Sequence, residues 1–363
     1  MKVVMTCGGT GGHIYPAIAI AGKIKKENPD AEILFIGTKK GMENRLVPAA
    51  GYEIKGIDAS GIDRHNLLNN FKTAKNLVAG AHETAEILSE FKPDMVIGTG
   101  GYVTGTVVRT AAKRGIKCYI HEQNAFAGVA NKMLERYVEK VFISFKDAAK
   151  YFKQPEKIVL SGNPIRSEFL TEDLSSCREK QGLTDKNFNL LVFGGSLGAE
   201  VINESTLNLI ENVKDPEFRL TFVTGKRYYE EIKQRLSEMD CPRDFVKLMD
   251  YADNMPELIG ACDMVVSRAG AIAVSEIVAM KKPAIFIPSP NVTGNHQYYN
   301  AKAVADAGAA VLLEEKDLLE NPKLFSETVF DLAGDFYTRN NMSFAAATVA
   351  KTDAVDIIYD NIK

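Results

Sequence analysis

Short apolar runs alternate along the whole chain with longer segments in which apolar residues recur every three or four positions. The first pattern predicts buried strands and the second predicts helices, and their alternation indicates parallel sheets covered on both faces. We therefore predict an α/β fold with two doubly wound domains in tandem. The predicted strands are Lys2–Thr6, Glu32–Ile36, Met95–Gly98, Cys118–His121, Lys140–Ile143, Lys157–Leu160, Asn189–Phe193, Arg219–Thr224, Val246–Leu248, Asp263–Ser267, Pro283–Phe286 and Ala310–Leu312.

The pattern breaks at Ser161–Ser167, where the Asn163–Pro164 pair interrupts regular structure. This break predicts a first domain over residues 1–163 and a second over 164–341. The last helical pattern, Met342–Ile362, predicts one long helix that crosses back, so that residues 342–363 join the first domain. Other predicted helices are Ala17–Lys26, Glu43–Ala50, Asn76–Phe91 and Thr104–Arg114.

Glycine-rich turns follow several predicted strands. Such turns let the backbone approach a ligand closely and direct the N–H groups of the next helix at an anion. A dinucleotide motif is excluded because Ile14 stands where its third glycine belongs, and no P-loop pattern is present. The turns therefore predict phosphate binding of another kind. They lie at Gly8–Gly12, Gly98–Gly105, Gly194–Gly198 and Ser267–Gly270.

The segment Ser267–Glu276 gives the strongest local signal. A helix is expected to begin near Ala271, and its first N–H groups suit a phosphate. The Glu276 carboxylate can accept the hydroxyls of a ribose. The loop Gly194–Gly198, with the hydroxyl of Ser196, offers further donors to phosphate.

Amides and histidines form the remaining candidate chemistry. The cluster Asn295–Asn300 follows an apolar strand and suits sugar hydroxyls. His13 and His121 each lie just beyond the carboxyl end of a predicted strand, where open α/β sheets place their sites.

Charge separates the two halves of the chain. Residues 1–163 hold 23 Lys and Arg against 16 Asp and Glu, so their net charge is +7. Since the whole chain has a net charge of −3, the remaining residues have a net charge of −10. The first half is therefore expected to meet an anion: a phosphate-bearing substrate, an anionic membrane surface or nucleic acid.

The sequence also bears on metal binding, on membrane spanning and on the compartment in which the protein works. There is no metal-ligand motif, and no apolar run approaches the roughly 18 residues of a transmembrane helix. The five scattered cysteines favour a reducing cytoplasm.

Seven stretches in chain order resemble bacterial glycosyltransferases of family 28, which add N-acetylglucosamine (GlcNAc) to undecaprenyl-linked muramyl-pentapeptide, converting lipid I to lipid II. The resemblance implies the GT-B fold, in which two Rossmann-like domains face each other across a cleft. It also implies an inverting enzyme that needs no metal or other cofactor. The stretches are GGTGGHIYPAIAIA at 8–21, GTGGYVTG at 98–105, HEQNAFAGVANK at 121–132, GNPIR at 162–166, GGSLGAEVIN at 194–203, SRAGAIAVSEI at 267–277 and NHQYYNA at 295–301.

The same resemblance implies roles for individual residues. UDP-N-acetylglucosamine (UDP-GlcNAc) would be the donor and lipid I the acceptor, with an anionic membrane surface and no nucleic acid as a further partner. The implied acceptor pyrophosphate contacts are Gly8, Gly9, Gly100, Gly101 and Tyr102. The implied donor contacts are Thr10, Gly11, Gly12, Asn124, Arg166, Ser196, Tyr251, Ala252, Ala271, Ile272, Ala273, Val274, Ser275, Glu276 and Gln297.

The general base is expected to be His13, because its ordinary pKa of about 6.5 suits proton transfer near neutrality. Glu122 is the rival, and His121 a weaker one.

The membrane patch is expected within His65–Val78, and the enzyme would work peripherally at the cytoplasmic face of the membrane. Three alternatives remain: a glycosyltransferase with a diacylglycerol acceptor, a UDP-sugar epimerase, and a non-catalytic UDP-sugar-binding protein.

Overall fold

The computed structural model describes residues 1–59, 69–195, 197–214, 217–239 and 244–363, with side chains from residue 76 onward in the second range. The chain divides into two compact units. Unit 1 comprises Met1–Arg166 and Lys351–Lys363, and unit 2 comprises Ser167–Ala350.

Unit 1 contains a seven-stranded parallel sheet with the strand order β3-β2-β1-β4-β5-β6-β7. The order reverses between β1 and β4, and open α/β sheets bind ligands at such a point. The strands are β1 Lys2–Cys7, β2 Glu32–Thr38, β3 Glu53–Ile57, β4 Met95–Gly100, β5 Lys117–Glu122, β6 Lys140–Ile143 and β7 Ile158–Leu160. The helices are α1 Gly11–Glu27, α2 Glu43–Ala49, α3 Asn69–Phe91, α4 Tyr102–Lys113 and α5 Val129–Leu134.

Successive residues of the central strands pack on opposite faces of this sheet, which gives unit 1 two apolar cores. Val4 and Val96 lie in one core, whereas Val3 and Ile97 lie in the other, and all four are fully buried. Burial on both faces explains why these strands form continuous apolar runs.

Unit 2 contains a six-stranded parallel sheet with the order β10-β9-β8-β11-β12-β13, which reverses between β8 and β11. Its core lies around Phe222, Val266 and Phe325. The strands are β8 Phe188–Phe193, β9 Phe218–Val223, β10 Val246–Met249, β11 Met264–Ser267, β12 Ala284–Phe286 and β13 Ala310–Leu312. The helices are α6 Glu168–Thr171, α7 Leu174–Lys180, α8 Glu200–Ile210, α9 Tyr229–Glu238, α10 Met255–Ala261, α11 Ala271–Ala279, α12 His296–Ala305, α13 Glu315–Glu320, α14 Leu324–Gly334 and α15 Phe336–Val349.

The prediction of one long helix over Met342–Ile362 is wrong. Helix α15 ends at Val349, and a separate helix α16 spans Ala354–Ile362. Thr352 and Asp353 lie in the break, and side chains of these types favour helix boundaries because they compete for backbone hydrogen bonds. The unit boundary falls in this break, so residues 351–363 belong to unit 1 and 342–350 to unit 2.

Helix α16 completes one core of unit 1. Ile358 and Ile362 are buried in the same apolar cluster as Ile20 of α1. At the rim of this contact Lys23 pairs with Asp356 at 2.6 Å. The end of the chain is therefore part of the amino-terminal fold.

Replacing Ile358 by Ala should lower the free energy of unfolding by about 2–5 kcal/mol, because it leaves a cavity between α16 and α1. The matched control is Asp356→Asn, which removes a partly exposed ion pair and should cost at most about 1 kcal/mol. Urea unfolding measures both variants. Equal effects would show that α16 is not anchored by its buried face.

Candidate active site

The loops that follow β1 and β4 touch through their backbones. The N–H of Gly8 donates to the carbonyl oxygen of Gly100 at 3.2 Å. A Cβ on Gly101 would lie 2.4 Å from the Gly8 oxygen, and Gly101 has a φ of +88°. Only glycine fits this position without strain. The paired loops form the floor of the candidate site in unit 1.

Two of the glycine N–H groups in the first loop are engaged within the protein. Gly9 donates to Oε2 of Glu43 at 3.3 Å, while Gly8 donates to Gly100. The Glu43 carboxylate is fully buried and also accepts the N–H and hydroxyl of Thr38, at 2.8 and 2.6 Å. This carboxylate holds the loop in shape.

We therefore revise the predicted pyrophosphate cradle at this loop. Gly8 and Gly9 shape the turn, since their N–H groups bond internally. Thr10 is the N-cap of α1, and Gly11 and Gly12 are its first two residues. The N–H groups of these three residues donate to no group within the described residues. They are the donors that this loop can offer to an anion.

His13 lies in the first turn of α1, half-buried against the second loop. Its ring occupies the space beside Gly100, where a Cβ would be 2.4 Å from Nδ1. The backbone oxygen of His13 accepts the hydroxyl of Thr99 at 2.7 Å. Its Nδ1 lies 3.1 Å from Oε1 of Gln123. Both its backbone and its ring are thus positioned.

A buried hydrogen-bond chain continues from Gln123 into the protein. Its Nε2 donates to the carbonyl oxygen of Thr99 at 2.6 Å and to Nδ1 of His121 at 2.9 Å. Nε2 of His121 donates to the carbonyl oxygen of Gly162 at 3.0 Å. His121 is fully buried, and burial lowers its pKa to about 4. Since both ring nitrogens are bonded inside the protein, we assign His121 a structural role.

Glu122 is also enclosed by donors. Its carboxylate accepts the N–H of Asn124 at 3.0 Å, the N–H of Gly128 at 2.8 Å and Nδ2 of Asn131 at 2.8 Å. Nδ2 of Asn124 adds a further bond at 3.2 Å. The residue is only 2% exposed. This geometry favours shaping of the Asn124–Gly128 loop over proton transfer, and leaves His13 as the better candidate base.

The predicted phosphate contact Arg166 lies at the end of the first part of unit 1. Its guanidinium lies over the ring of Tyr15 on α1, with 5.3 Å between the guanidinium carbon and the ring centroid. Such a contact restrains the side chain next to the first turns of α1. A role of Arg166 toward phosphate stays a prediction. At the start of α4, the side chain of the predicted contact Tyr102 is 70% exposed.

In unit 2 the predicted donor residues follow the carboxyl ends of successive strands. The Gly194–Gly198 loop follows β8 and packs on Gly225 after β9, where a Cβ would be 2.6 Å from the Gly198 backbone. Tyr251 and Ala252 follow β10, with Lys226 5.5 Å above the Tyr251 ring. In a parallel sheet these loops meet at one edge. Ser196 lies outside the described residues.

Helix α11 begins at the same edge, directly after β11. Gly270 is its N-cap, and the preceding turn is held by Nδ2 of the buried Asn300, which donates to the carbonyl oxygen of Ala269 at 3.2 Å. Along the helix Ala271, Val274 and Glu276 are buried, whereas Ile272, Ala273 and Ser275 are half-buried. The helix N-terminus and the Glu276 carboxylate thus occur in one short element.

The amide of Gln297 is fixed near the start of α12. Its Oε1 accepts the N–H of Ser289 at 2.9 Å. The preceding Asn295 has a φ of +52°, and Nδ1 of His296 lies 2.9 Å from the carbonyl oxygen of Thr293. The loop after β12 therefore presents an ordered amide.

Two further observations concern the described part of the chain alone. No helix in it is long and apolar enough to cross a membrane. It also holds no group of three His, Cys, Asp or Glu side chains placed to bind a metal ion.

The sequence models of two domains match the chain. That of the glycosyltransferase family 28 N-terminal domain matches residues 3–143, and that of the C-terminal domain matches residues 189–358. The chain belongs to glycosyltransferase family 28. The predicted family is thereby confirmed, and so is a GT-B fold with two Rossmann-like sheets.

Relatives within family 28 match over the full length. A protein of Alkaliphilus metalliredigens is 42% identical over 362 residues, covering 100% of this chain and 98% of its own. One of Acetivibrio thermocellus is 44% identical over 364 residues, with the same coverage. Both are named UDP-N-acetylglucosamine–N-acetylmuramyl-(pentapeptide) pyrophosphoryl-undecaprenol N-acetylglucosamine transferase.

One solved structure agrees with this family 28 membership, and a second agrees with the fold. The crystal structure of MurG from Acinetobacter baumannii has a TM-score of 0.81 and 27% identity, covering 99% of both chains. An S. aureus MnaA–UDP structure has a TM-score of 0.69 and 16% identity, covering 100% of this chain and 96% of its own, and shares the fold alone.

Gln123, Thr99 and Glu43 belong to the candidate site, although no sequence pattern marked them as site residues. All three are buried polar side chains next to the glycine loops. The sequence did contain an indication for Gln123 and Thr99, because Gln123 directly follows an apolar strand and Thr99 lies at the end of another. Glu43 lacked one, since its partner Gly9 is distant in sequence.

The low pKa of His121 predicts a pH-dependent stability. The folded protein takes up this proton only near pH 4, whereas the unfolded chain takes it up near 6.5, so acidification between these values stabilises the unfolded chain. Between pH 7.5 and 5, wild type should lose about 2 kcal/mol that His121→Gln does not lose. The destabilisation of the variant relative to wild type, measured by urea unfolding, should shrink accordingly. A difference that stays constant would contradict the burial of a neutral His121.

Proposed function

We propose that the chain transfers GlcNAc from UDP-GlcNAc to the C4 hydroxyl of the muramyl sugar in undecaprenyl-pyrophosphoryl-muramyl-pentapeptide. The observation that carries the proposal is the identity of 42–44% over the whole chain with relatives named for this transfer. Both family 28 domains are present, and each unit has a glycine loop followed by a helix at the switch point of its sheet.

The donor is assigned mainly to unit 2. The first N–H groups of α11 would bind a phosphate, and the Glu276 carboxylate would accept ribose hydroxyls. The Gly194–Gly198 loop would bind the other phosphate, Tyr251 and Ala252 the uracil, and Gln297 the sugar. Thr10, Gly11, Gly12 and Asn124 are further proposed contacts of the donor sugar.

The reaction proceeds as a single displacement. The acceptor hydroxyl gives its proton to His13, and its oxygen forms a bond to the anomeric carbon from the face opposite UDP. The bond from that carbon to the diphosphate oxygen breaks, so an α-linked donor yields a β-1,4 product. The charge that develops on UDP is stabilised by N–H groups at the start of α11. No step depends on a metal ion.

The acceptor pyrophosphate is assigned to unit 1. The N–H groups of Thr10, Gly11 and Gly12 lie at the positive end of α1 and favour an anion there. The net charge of +7 over residues 1–163 adds a long-range attraction.

Transfer from labelled UDP-GlcNAc to a short-chain lipid I analogue tests the function. Wild type should form the disaccharide product with EDTA present, and donor alone should be stable. No product would contradict the proposal. Epimerised donor formed without acceptor would indicate an epimerase, and product with diacylglycerol instead of the analogue would indicate the other acceptor class.

In the same assay, His13→Ala should lower kcat by about 10²–10⁴-fold, because proton transfer to a positioned base contributes that much. The affinity for UDP-GlcNAc, measured by titration calorimetry, should stay within a few-fold of wild type. His82→Ala is the control, since the side chain of His82 on α3 is 75% exposed. A loss below tenfold with donor affinity intact would transfer the role of base to Glu122.

We also propose that unit 1 associates peripherally with the cytoplasmic face of an anionic membrane. Leu77 and Val78 on α3 are 41% and 73% exposed, and they line a groove with Arg109, Lys113 and Arg114. Exposed apolar side chains beside cations suit an interface with anionic lipids. The side chains of Leu67, Leu68, Phe71, Lys72 and Lys75 in the predicted patch lie outside the described residues.

Replacing Arg109 and Lys113 by Gln should weaken binding to phosphatidylglycerol vesicles about thirtyfold, since each cation near the surface contributes about 1 kcal/mol. Vesicle cosedimentation measures the binding. The matched control, Lys316→Gln with Lys323→Gln, makes the same charge change on unit 2. An equal loss in both double variants would contradict a specific surface on unit 1.

A further inference from the structure

The side-chain amide of Gln123 has only one orientation that satisfies its neighbours. Gln123 directly follows β5 and is 2% exposed. One end of its amide faces the carbonyl oxygen of Thr99 at 2.6 Å and the carbonyl oxygen of His121 at 3.3 Å. A carbonyl oxygen only accepts, so this end must be the NH₂ group. The other end, Oε1, therefore faces Nδ1 of His13 at 3.1 Å.

This orientation determines where the neutral His13 ring carries its hydrogen. An amide oxygen cannot donate, so a hydrogen bond with Nδ1 requires the hydrogen to be on Nδ1. In a neutral imidazole the lone pair then belongs to Nε2. A base must accept its proton on the nitrogen with the lone pair, which for His13 is Nε2.

His121, which follows Gln123 in the hydrogen-bond chain, prevents the amide of Gln123 from adopting the opposite orientation. Nε2 of His121 faces the carbonyl oxygen of Gly162 and must carry the hydrogen, so Nδ1 of His121 accepts from Gln123. The hydroxyl of Ser144 lies 3.2 Å from the same Nε2 and donates to Oδ1 of Asn163 at 2.7 Å. Burial keeps His121 neutral near pH 7, because its pKa is lowered to about 4. From His13 through Gln123 and His121 to Gly162, each residue therefore donates a hydrogen bond to the next one.

We propose that Gln123 is a positioning residue that holds His13 in the tautomer with hydrogen on Nδ1 and the lone pair on Nε2. The catalytic consequence rests on the proposed role of His13 as the base. The amide of Gln123 takes the place that a carboxylate occupies beside the histidine of a serine hydrolase triad. Because an amide is uncharged, it fixes the tautomer without the charge that would stabilise the protonated ring.

Nitrogen-15 NMR of the full chain labelled at histidine tests the tautomer directly, at a pH above the ordinary histidine pKa of about 6.5. His13 is assigned by the loss of its signals in His13→Gln. In wild type, Nδ1 should show the shift of a protonated nitrogen and Nε2 that of an unprotonated one. In Gln123→Met, which removes the acceptor, much of the hydrogen should move to Nε2.

Two matched variants separate this role from general damage to the buried network. Gln123→Glu keeps an oxygen toward Nδ1 but loses the NH₂ bonds to Thr99 and His121, and it should keep the hydrogen on Nδ1. Thr99→Val loses the hydroxyl bond to the His13 backbone but not the Gln123 contact, and it should also keep the tautomer. A merely structural role for Gln123 predicts that Met and Glu at position 123 have equal effects.

Transfer assays on Gln123→Met complete the test. The turnover number kcat should fall about tenfold, the equivalent of one hydrogen bond, with KM for UDP-GlcNAc unchanged. Hydrogen on Nε2 in wild type, or an unchanged tautomer in Gln123→Met, would overturn the inference. A changed tautomer with unchanged kcat would support the inference and refute His13 as the base, so the two failures are distinguishable.

Discussion

The candidate site in unit 1 depends on a buried series of hydrogen bonds in which every polar group must have a partner. It runs from the carbonyl oxygen of Gly162 through His121 and Gln123 to His13. Unpaired polar groups at such depth would each cost about 1–3 kcal/mol, so the whole chain adopts one arrangement. Because its members lie at the ends of β5 and β7 and in the first turn of α1, the chain connects the sheet edge to the candidate base. The glycine at position 100 leaves the space that the His13 ring fills.

The two units share one local arrangement that suits the proposed binding of phosphate. Each has a parallel sheet whose strand order reverses, a glycine loop at the reversal, and a helix that begins there. In unit 1 the helix is α1, and in unit 2 it is α11. Phosphate recognition by N–H groups needs no mobile side chains, and in the proposed reaction it would supply fixed dipoles to the leaving diphosphate. The net charge of +7 over residues 1–163 favours the proposed binding of a lipid pyrophosphate by unit 1.

Much of the fold could be predicted from sequence because buried parallel strands form continuous apolar runs. The strand Glu53–Ile57 was missed since it is a partly exposed edge strand without such a run. Contacts between residues that are distant in sequence were not predictable. The Glu43 carboxylate accepts the N–H of Gly9, and Gln123 contacts His13 although 110 positions separate them in the sequence. Residue types at strand ends indicated a site, but local patterns do not specify which polar groups pair. For the same reason the sequence ranked His13 above Glu122 only by its ordinary pKa, whereas the structure adds the donors that enclose the Glu122 carboxylate.

Neutron diffraction from crystals of the deuterated protein, grown above the ordinary histidine pKa of about 6.5, would show directly which nitrogen of His13 carries the hydrogen. It locates the hydrogen of each buried ring without any substitution. We expect deuterium on Nδ1 of His13 and on Nε2 of His121, with the NH₂ group of Gln123 facing Thr99. Deuterium on Nε2 of His13, with Nδ1 bare, would contradict this expectation, because the nitrogen needed to accept the proton of the acceptor hydroxyl would already carry one.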